Sequence, residues 1–253
     1  MPDQVAQNTR RAQRLLALPA AVVAGVVAIV LVLLIPWFVA IPVGLLAGAG
    51  VAFWAQGRAT ATVVRLVGAA PADPAAHARL HNLVEGLCLA NGLAVPTIQV
   101  LDQAAPNALV AGRRPQDAIL VVTTGLLDQL DRVELEGVIA HELSRIKSLD
   151  IVPATVAVST IGLVPVAGLR ARLLAGALGS DRMALADAAA VEMTRYPPGL
   201  VSALEKVRDG AASAPLSAPL IAHLWIDAAA SAAAGDAPAQ PPIQERIDAL
   251  RER

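Results

Sequence analysis

Residues 137–150 read GVIAHELSRIKSLD, a stretch that departs at one position from a metal-binding pattern. In the pattern H-E-x-x-H, two histidines four residues apart lie on one face of a helix and bind a metal ion, and the glutamate acts as general base. His141 and Glu142 match the first two positions, but Arg145 stands where the second histidine is expected. The rest of the chain therefore decides whether this stretch is a coincidence or an altered site.

The composition narrows the class of protein. The chain has 253 residues, and a hydrophobic content of 56% is high for a soluble domain. The formal net charge is −1, which gives no basic surface of the kind that nucleic-acid binding requires. The single cysteine, Cys88, excludes an internal disulfide and a zinc cluster built from cysteines. We therefore expect a protein that contacts membrane lipid and does not bind nucleic acid.

An N-terminal hairpin of two membrane spans is predicted from a long interval without charge. No charged residue occurs between Arg14 and Arg58, and the segment IPWFVAIP divides this interval. Because a spanning helix needs about 20 apolar residues, we expect spans at about 15–35 and 39–55. The remaining two hundred or so residues then form the larger part of the protein.

The arginines at the ends of the hairpin predict its orientation. They precede and follow the two spans, at Arg10, Arg11, Arg14, Arg58 and Arg65. Because positive residues stay on the cytoplasmic side, both ends are expected in the cytoplasm. This predicts a multi-pass protein of the cytoplasmic (inner) membrane, with a tail and hairpin at 1–58 and a domain facing the cytoplasm at 59–253.

The second part of the chain predicts an α+β fold, mainly helical with a small β-sheet. A helix is expected from Asp73, as its N-cap, to the stop signal Asn91-Gly92. The β-like runs TIQVLD, NALVAG and AILVVTT predict a sheet of three or four strands. Further helices are expected at 181–194, 198–208 and 242–252.

The helix that carries His141 is predicted to be buried. Asp131 and Glu134 form a D-x-x-E capping box at its start. From Val138 to Leu143 the helix is apolar nearly all round, which is typical of a helix inside a protein. We therefore expect His141 and Glu142 in the interior.

A second apolar interval, residues 151–169, is long enough to cross a membrane. A single crossing there would place Asp187 on the opposite side of the membrane from His141. Residues 151–179, which are interrupted by prolines and a glycine, are therefore expected to form a re-entrant or membrane-resting helical hairpin.

Several motifs, taken together and in order, resemble the HtpX-type integral-membrane zinc metallopeptidases. They are APNALVAG (105–112), VTTGLL (122–127), GVIAHELSRIKSLD (137–150), ALADAAAVEMTRYPPGLVSALEKV (184–207), AHLWID (222–227) and PPIQERI (241–247). The N-terminal hairpin also fits that family. The resemblance implies a gluzincin-like metallopeptidase domain and covers roughly residues 75–250.

What the family uses for catalysis is only partly present. By resemblance, His141 is the first zinc ligand, Glu142 the base, and Asp187 the residue that orients the imidazole of His141. Arg145 replaces the second ligand and Met183 replaces the third. Arginine has no lone pair to donate, and the methionine thioether is a soft ligand that does not suit zinc. No metal or other cofactor is therefore expected, although zinc is implied for active relatives.

Two positions of the Arg145 side chain are compatible with the sequence. It could be a solvated charge near the end of the helix, or a counter-ion that reaches into the former metal cavity and neutralises Glu142 and Asp187. In the second case it would replace the positive charge that the metal supplies.

Three functions follow from the resemblance. The first is a proteolytically inactive homologue that binds a peptide or membrane protein, as a scaffold or regulatory subunit, with a peptide strand added at Asn107, Ala108 and Leu109. The second is an active zinc metalloendopeptidase of membrane-protein quality control with the shifted ligands His141, Asp187 and His223. The third is a purely structural subunit of a membrane complex.

Overall fold

The computed structural model describes residues 2–164, 167–210, 219–228 and 240–252. Within these ranges the α-helices are α1 Pro2–Val32, α2 Trp37–Val67, α3 Ala78–Asn91, α4 Thr124–Gln129, α5 Arg132–Lys147, α6 Ile151–Thr160, α7 Ala167–Leu178, α8 Arg182–Thr194, α9 Pro197–Gly210 and α10 Ile243–Arg251. The strands are β1 Ala70–Pro71, β2 Thr97–Leu101, β3 Ala108–Ala111 and β4 Ile119–Thr123. This mainly helical architecture with one small sheet confirms the predicted α+β class.

Helices α1 and α2 form an antiparallel hairpin, and both are long and apolar enough to cross a membrane. Small residues let their backbones approach closely, as in other membrane helix pairs. A Cβ atom added at Gly44 would lie 2.6 Å from the carbonyl oxygen of Ala24, so only glycine fits there. Helix α2 continues without a break to Val67, and its last turns pack into the core of the following domain through Val63 and Val67.

The sheet is mixed and has the strand order β1-β2-β4-β3. Strands β2 and β4 are parallel, while β3 pairs antiparallel with β4, so β3 is an edge strand. Successive side chains of a strand point to opposite faces. Val110 and Leu120 accordingly pack in the core formed with α5, and Leu109 and Val121 pack in the core formed with α6. Because both faces are covered, β3 and β4 are buried along their whole length.

The helix expected from Asp73 begins later than predicted. Helix α3 starts at Ala78, and its N-cap position is occupied by His77. The carboxylate of Asp73 instead accepts a hydrogen bond from the N–H of Ala75 at 2.8 Å. Asp73 therefore stabilises a turn that precedes the helix, and the predicted stop at Gly92 is correct, with Gly92 in the left-handed conformation at φ 66°.

The apolar interval after α5 contains two different helices. Helix α6 packs against α1, α2 and β3, and most of its residues are buried. It spans only ten residues and is too short to cross a membrane. Helix α7 exposes Leu169 and Leu173, so a membrane-resting position stays a prediction for α7 alone. Residues 165 and 166, between these helices, lie outside the described residues.

Candidate active site and its buried charges

Helix α5 begins with the predicted capping box. The carboxylate of Asp131 accepts from the N–H groups of Val133 and Glu134 at 2.8 and 2.9 Å. The carboxylate of Glu134 in turn accepts from the N–H of Asp131 at 2.8 Å. These bonds satisfy donors that the first turn of a helix leaves unpaired. They fix the start of a helix that is then buried from Gly137 to Ile146.

His141 is fully buried and bonded to Asp187 on α8, with 2.7 Å between Nδ1 and Oδ1. A carboxylate only accepts hydrogen bonds, so Nδ1 carries the ring proton. Arg246 on α10 donates to both oxygens of Asp187, each at 2.8 Å. Burial alone would raise the pKa of Asp187, but the charge of Arg246 outweighs it and holds that pKa well below its usual range. Asp187 thus orients His141, and its negative charge is neutralised by Arg246.

Arg145 is also fully buried, so it is not a solvated charge. Its Nη1 donates to Glu142 Oε2 at 2.9 Å, and its Nε donates to Asp150 Oδ2 at 3.0 Å. The same Nη1 donates to the carbonyl oxygen of Leu224 at 2.8 Å. The side chain therefore lies in the interior and pairs with Glu142, but the second acid it binds is Asp150. Asp187, which was expected as its partner, is held by Arg246.

A third buried arginine completes the cluster. Arg182, at the start of α8, donates from Nη1 to both oxygens of Asp150 at 3.2 and 3.3 Å. Burial lowers the pKa of Arg182 to about 10 even though Asp150 lies beside it. Burial would raise the pKa of Asp150, but the charges of Arg182 and Arg145 together lower it. Asp150 is therefore an ionised carboxylate between two guanidinium groups.

Within the site, six buried charges balance one another without a metal ion. Three guanidinium groups pair with three carboxylates, namely Arg145, Arg182 and Arg246 with Glu142, Asp150 and Asp187. Buried charges are tolerated when each one is paired and hydrogen-bonded. We call these six residues, together with His141, the charge cluster. The sequence motifs assign a role to only four of the seven, His141, Glu142, Arg145 and Asp187.

The residues at this site do not fit a catalytic zinc ion. Such an ion needs three protein ligands and one open position. Met183 is fully buried and offers only a thioether. Among the described residues, no group of three His, Cys, Asp or Glu side chains is placed to hold a metal. The guanidinium of Arg145 lies against Glu142 and adds a positive charge that opposes a second cation.

The shifted ligand set of His141, Asp187 and His223 is not assembled either. All three residues are described, yet they do not form a metal-binding group. His223 Nε2 bonds instead to the carbonyl oxygen of Ala154 at 2.9 Å. Burial and then the charge of Arg182 lower the pKa of His223 to about 4. His223 is therefore a neutral side chain that anchors its own segment to α6.

The edge of β3 is occupied by a later part of the chain. Trp225 forms an antiparallel bridge with Leu109, and the N–H of Ile226 donates to the carbonyl oxygen of Ala108 at 2.8 Å. The side chain of Asn107 donates to the carbonyl oxygen of Asp227 at 2.8 Å. A peptide that added at this edge would need the same positions. We call residues 223–227 the edge segment.

Every carbonyl group of the edge segment accepts a hydrogen bond from a side chain. Five side chains are the donors: Arg182 and Gln240 donate to residue 223, Arg145 to 224, Gln240 to 225, Arg246 to 226 and Asn107 to 227. All three arginines of the charge cluster take part. The same guanidinium groups therefore neutralise the buried acids and hold the edge segment against β3.

The comparisons with known proteins agree with this architecture. Residues 74–253 match the model of peptidase family M48. The chain is similar to a "Protease HtpX homolog" of Dictyoglomus turgidum, 36% identical over 213 residues with 68% of each chain covered. It is also similar to one from Caldanaerobacter subterraneus, 32% identical over 224 residues, covering 73% of this chain and 75% of the relative. A third, from Acidiphilium cryptum, is 37% identical over 199 residues, covering 67% and 68%.

Proposed function

Because the chain belongs to peptidase family M48, as an HtpX-like membrane protein, we propose that it has lost zinc-dependent peptidase activity and acts as a scaffold or regulatory subunit in the membrane. One observation carries this proposal. The buried guanidinium of Arg145 pairs with Glu142 at 2.9 Å, at the position where the family places its second zinc ligand. The charge of Glu142 is thus neutralised by a side chain of the protein itself, which supports the proposal.

Catalysis in the family depends on a zinc-bound water that the glutamate of HExxH deprotonates. Here one oxygen of Glu142 accepts from Arg145, and Met183 presents no carboxylate. Losing even an outer-shell partner of a metal ligand typically weakens metal binding about 10- to 100-fold, and two ligands themselves are replaced here. We therefore assign Glu142, His141 and Asp187 a structural role in the charge cluster.

The binding role is proposed for the membrane hairpin and not for the edge of β3. The edge segment already takes the backbone groups that a peptide would need at Ala108 and Leu109. The hairpin, by contrast, exposes large apolar side chains such as Leu33 and Phe53 along its length. Contiguous exposed apolar surface marks lipid and partner contacts. A membrane-protein partner beside this hairpin fits a scaffold or regulatory subunit.

We also propose an orientation of the hairpin in the membrane and a division of the chain into two parts. Arginines flank both ends of the hairpin, which supports a cytoplasmic position for both ends. We assign residues 1–58 to the tail and membrane anchor and 59–253 to a metallopeptidase-like domain that faces the cytoplasm. The boundary lies inside α2, because that helix continues into the domain.

Zinc stoichiometry of the detergent-purified full chain tests the function directly. We expect no tightly bound zinc in the wild type and about one zinc per chain in an Arg145→His, Met183→Glu variant, in which three ligands are restored. The matched control is Arg145→His with Met193→Glu, which carries the same residue types but places the glutamate elsewhere on α8. We expect it to bind no zinc.

The result for the wild type decides the proposal even where a variant folds poorly. Stoichiometric zinc in the wild type, together with chelator-sensitive cleavage of a denatured membrane protein, would overturn it. Circular dichroism of each variant separates failure to bind zinc from failure to fold. Zinc in the control variant as well as in the double variant would mean that the ligand at position 183 is wrongly assigned.

A further inference from the structure

A cavity of about 980 Å³ lies between the first half of α1 and the α6–α7 region. Its volume is at the upper end of the range of roughly 300–1,000 Å³ for ligand sites. Its lining includes basic and large apolar side chains, namely Arg10, Arg11, Arg14, Leu18, Val22 and Leu173. Neither the charge cluster nor the edge segment contributes to its wall, so the proposed function does not account for it.

The α1 side of the cavity changes from basic to apolar along one helix face. Residues three or four apart lie on the same face of a helix. Arg10, Arg14, Leu18 and Val22 follow this spacing, and all line the cavity. With a rise of about 1.5 Å per residue, Val22 lies roughly 12 Å beyond Arg14 along the axis. The cavity therefore has a basic end and an apolar end, and the distance between them is comparable to the length of part of a lipid acyl chain.

The basic end carries positive charge that the protein does not neutralise. Arg11 lies 4.0 Å from Asp181, and Asp3 also lines the cavity. Arg10 and Arg14 are exposed, and neither forms an ion pair with any residue in the described ranges. Two guanidinium groups thus remain to bind an anion, for which arginine provides charged and directional donors.

The apolar end lies on the surface of a helix that is long enough to span a membrane. Leu18 is 70% exposed and Val22 is 59% exposed. The opposite wall is provided by Leu173, which is 39% exposed on α7. A peptide placed along this wall would leave its backbone polar groups without partners in hydrocarbon. A hydrocarbon chain has no such groups.

We propose that this cavity binds one phospholipid with a net negative headgroup. The phosphate lies at Arg10 and Arg14, and an acyl chain lies along Leu18, Val22 and Leu173. The bound lipid covers the gap between α1 and α7 and so couples the membrane hairpin to the domain. The site is independent of whether the charge cluster binds metal.

Native mass spectrometry of the full chain in detergent tests the headgroup. Phosphatidylglycerol is compared with phosphatidylcholine, and one tightly bound phosphatidylglycerol is expected per chain. Arg10→Gln with Arg14→Gln should weaken its binding about 25-fold, at roughly fivefold for each arginine. Arg58→Gln with Arg65→Gln removes the same charge from the same end of the hairpin but not from the cavity, and should change binding less than about twofold.

Equal binding of both lipids would show that the negative headgroup is not recognised, and equal losses in both pairs of variants would show only general attraction to anionic lipid. Either result would overturn the site. Inorganic phosphate is the third arm. Because it lacks an acyl chain, we expect it not to displace the lipid at millimolar concentration. Full displacement would mean a simple anion site and would overturn the assignment to a lipid.

A second pair of variants tests the apolar end. A Cβ atom at Gly176 would meet no atom of the described residues within 4 Å, and Gly176 lines the cavity. Gly176→Phe should weaken phosphatidylglycerol binding about tenfold, since displacing two methylene groups is sufficient for that factor. Gly168→Phe is the control, because Gly168 is on the same helix, has equal space and lies outside the cavity. Unchanged binding in Gly176→Phe would contradict the proposed acyl-chain position.

Discussion

The two halves of the charge cluster share helix α5 but differ in their relation to a metal ion. In the His141 half, made of His141, Asp187 and Arg246, the carboxylate holds the imidazole in one tautomer, and Nε2 has no hydrogen-bond partner among the described residues. In the Arg145 half, made of Arg145, Glu142, Asp150 and Arg182, guanidinium groups bind every acid. In one half an imidazole nitrogen is therefore not used by a described residue, whereas in the other half each acid is paired with a guanidinium group.

This difference indicates what the proposed loss of a buried metal would require. Removing a divalent cation from an interior with several carboxylates would leave uncompensated charge, which costs several kcal/mol. In the Arg145 half the replacement charge lies on the ligand position itself. In the His141 half it comes from Arg246 on a distant helix. The two halves can therefore be separated by experiment.

The largest effect is expected from breaking the Arg145 half. Arg145→Met leaves Glu142 buried without a cation and should lower the free energy of unfolding by about 3–5 kcal/mol. Denaturant unfolding of the detergent-solubilised chain measures it. Arg114→Met is the matched control, because Arg114 forms an ion pair with Asp117 at the surface. Loss of this surface ion pair should lower the free energy of unfolding by only about 0–1 kcal/mol.

A second substitution shows whether charge is the cause. Adding Glu142→Gln to Arg145→Met removes the unpaired acid while Asp150 keeps Arg182. The double variant should therefore recover part of the lost stability. A cost below about 1 kcal/mol for Arg145→Met alone would be incompatible with its role as the buried counter-ion.

The next largest effect is a dependence on pH from His223, which lies beside the Arg145 half. Its folded pKa is about 4, whereas an unperturbed histidine titrates near 6.5. As pH falls below about 6.5, the unfolded chain binds a proton that the folded protein does not bind until about pH 4. The free energy of unfolding should thus fall by about 3 kcal/mol across this window.

Unfolding measured from pH 8 to pH 4.5 checks this, with His223→Gln as the control. Glutamine keeps a donor for the carbonyl oxygen of Ala154 but does not titrate. The difference between wild type and His223→Gln isolates this residue from the other histidines. The buried acids Asp187 and Asp150 have lowered pKa values, so their contribution is lost only at more acidic pH. A pH-independent difference would mean that the pKa of His223 is the same in the folded and unfolded states, and would contradict this prediction.

The smallest effect is expected in the His141 half. Asp187→Asn removes the charge opposite Arg246 but keeps the volume and one acceptor oxygen, and Arg246 keeps its bond to the carbonyl oxygen of Ile226. The cost should therefore be about 2 kcal/mol, less than that of truncating Arg145 to methionine. Combining Asp187→Asn with Arg246→Met tests whether the unpaired guanidinium is the cause, since the pair of substitutions should then cost less than their sum. A cost above that of Arg145→Met would reverse the comparison between the two halves.

Local patterns in the sequence were sufficient for most of the fold. The capping box of Asp131 and Glu134 predicted the start of α5, and the three β-like runs correspond to β2, β3 and β4. Asp73 misled the prediction of α3, because a carboxylate caps a turn as readily as a helix. Local signals act over only a few residues, so they indicate that a helix is present more reliably than they place its first residue.

The site was harder to predict because its partners are distant along the chain. Arg145 and Glu142 are three residues apart, and their pairing could be considered from the helix alone. Arg246 meets Asp187 across 59 residues, and Trp225 meets Leu109 from the other end of the domain. No periodicity links such pairs. The motif PPIQERI contains Arg246, so its presence in the resemblance was the one available signal.

The position of Arg246 on the last helix also sets an order of events during synthesis. Asp187 leaves the ribosome 59 residues before its guanidinium partner, which at about 5–20 residues per second is an interval of roughly 3–12 s. Until α10 docks, Asp187 has no cation, and the carbonyl group of Ile226 lacks its donor. The buried site is therefore completed late, when the carboxyl-terminal helix α10 docks, long after the membrane hairpin has been synthesised.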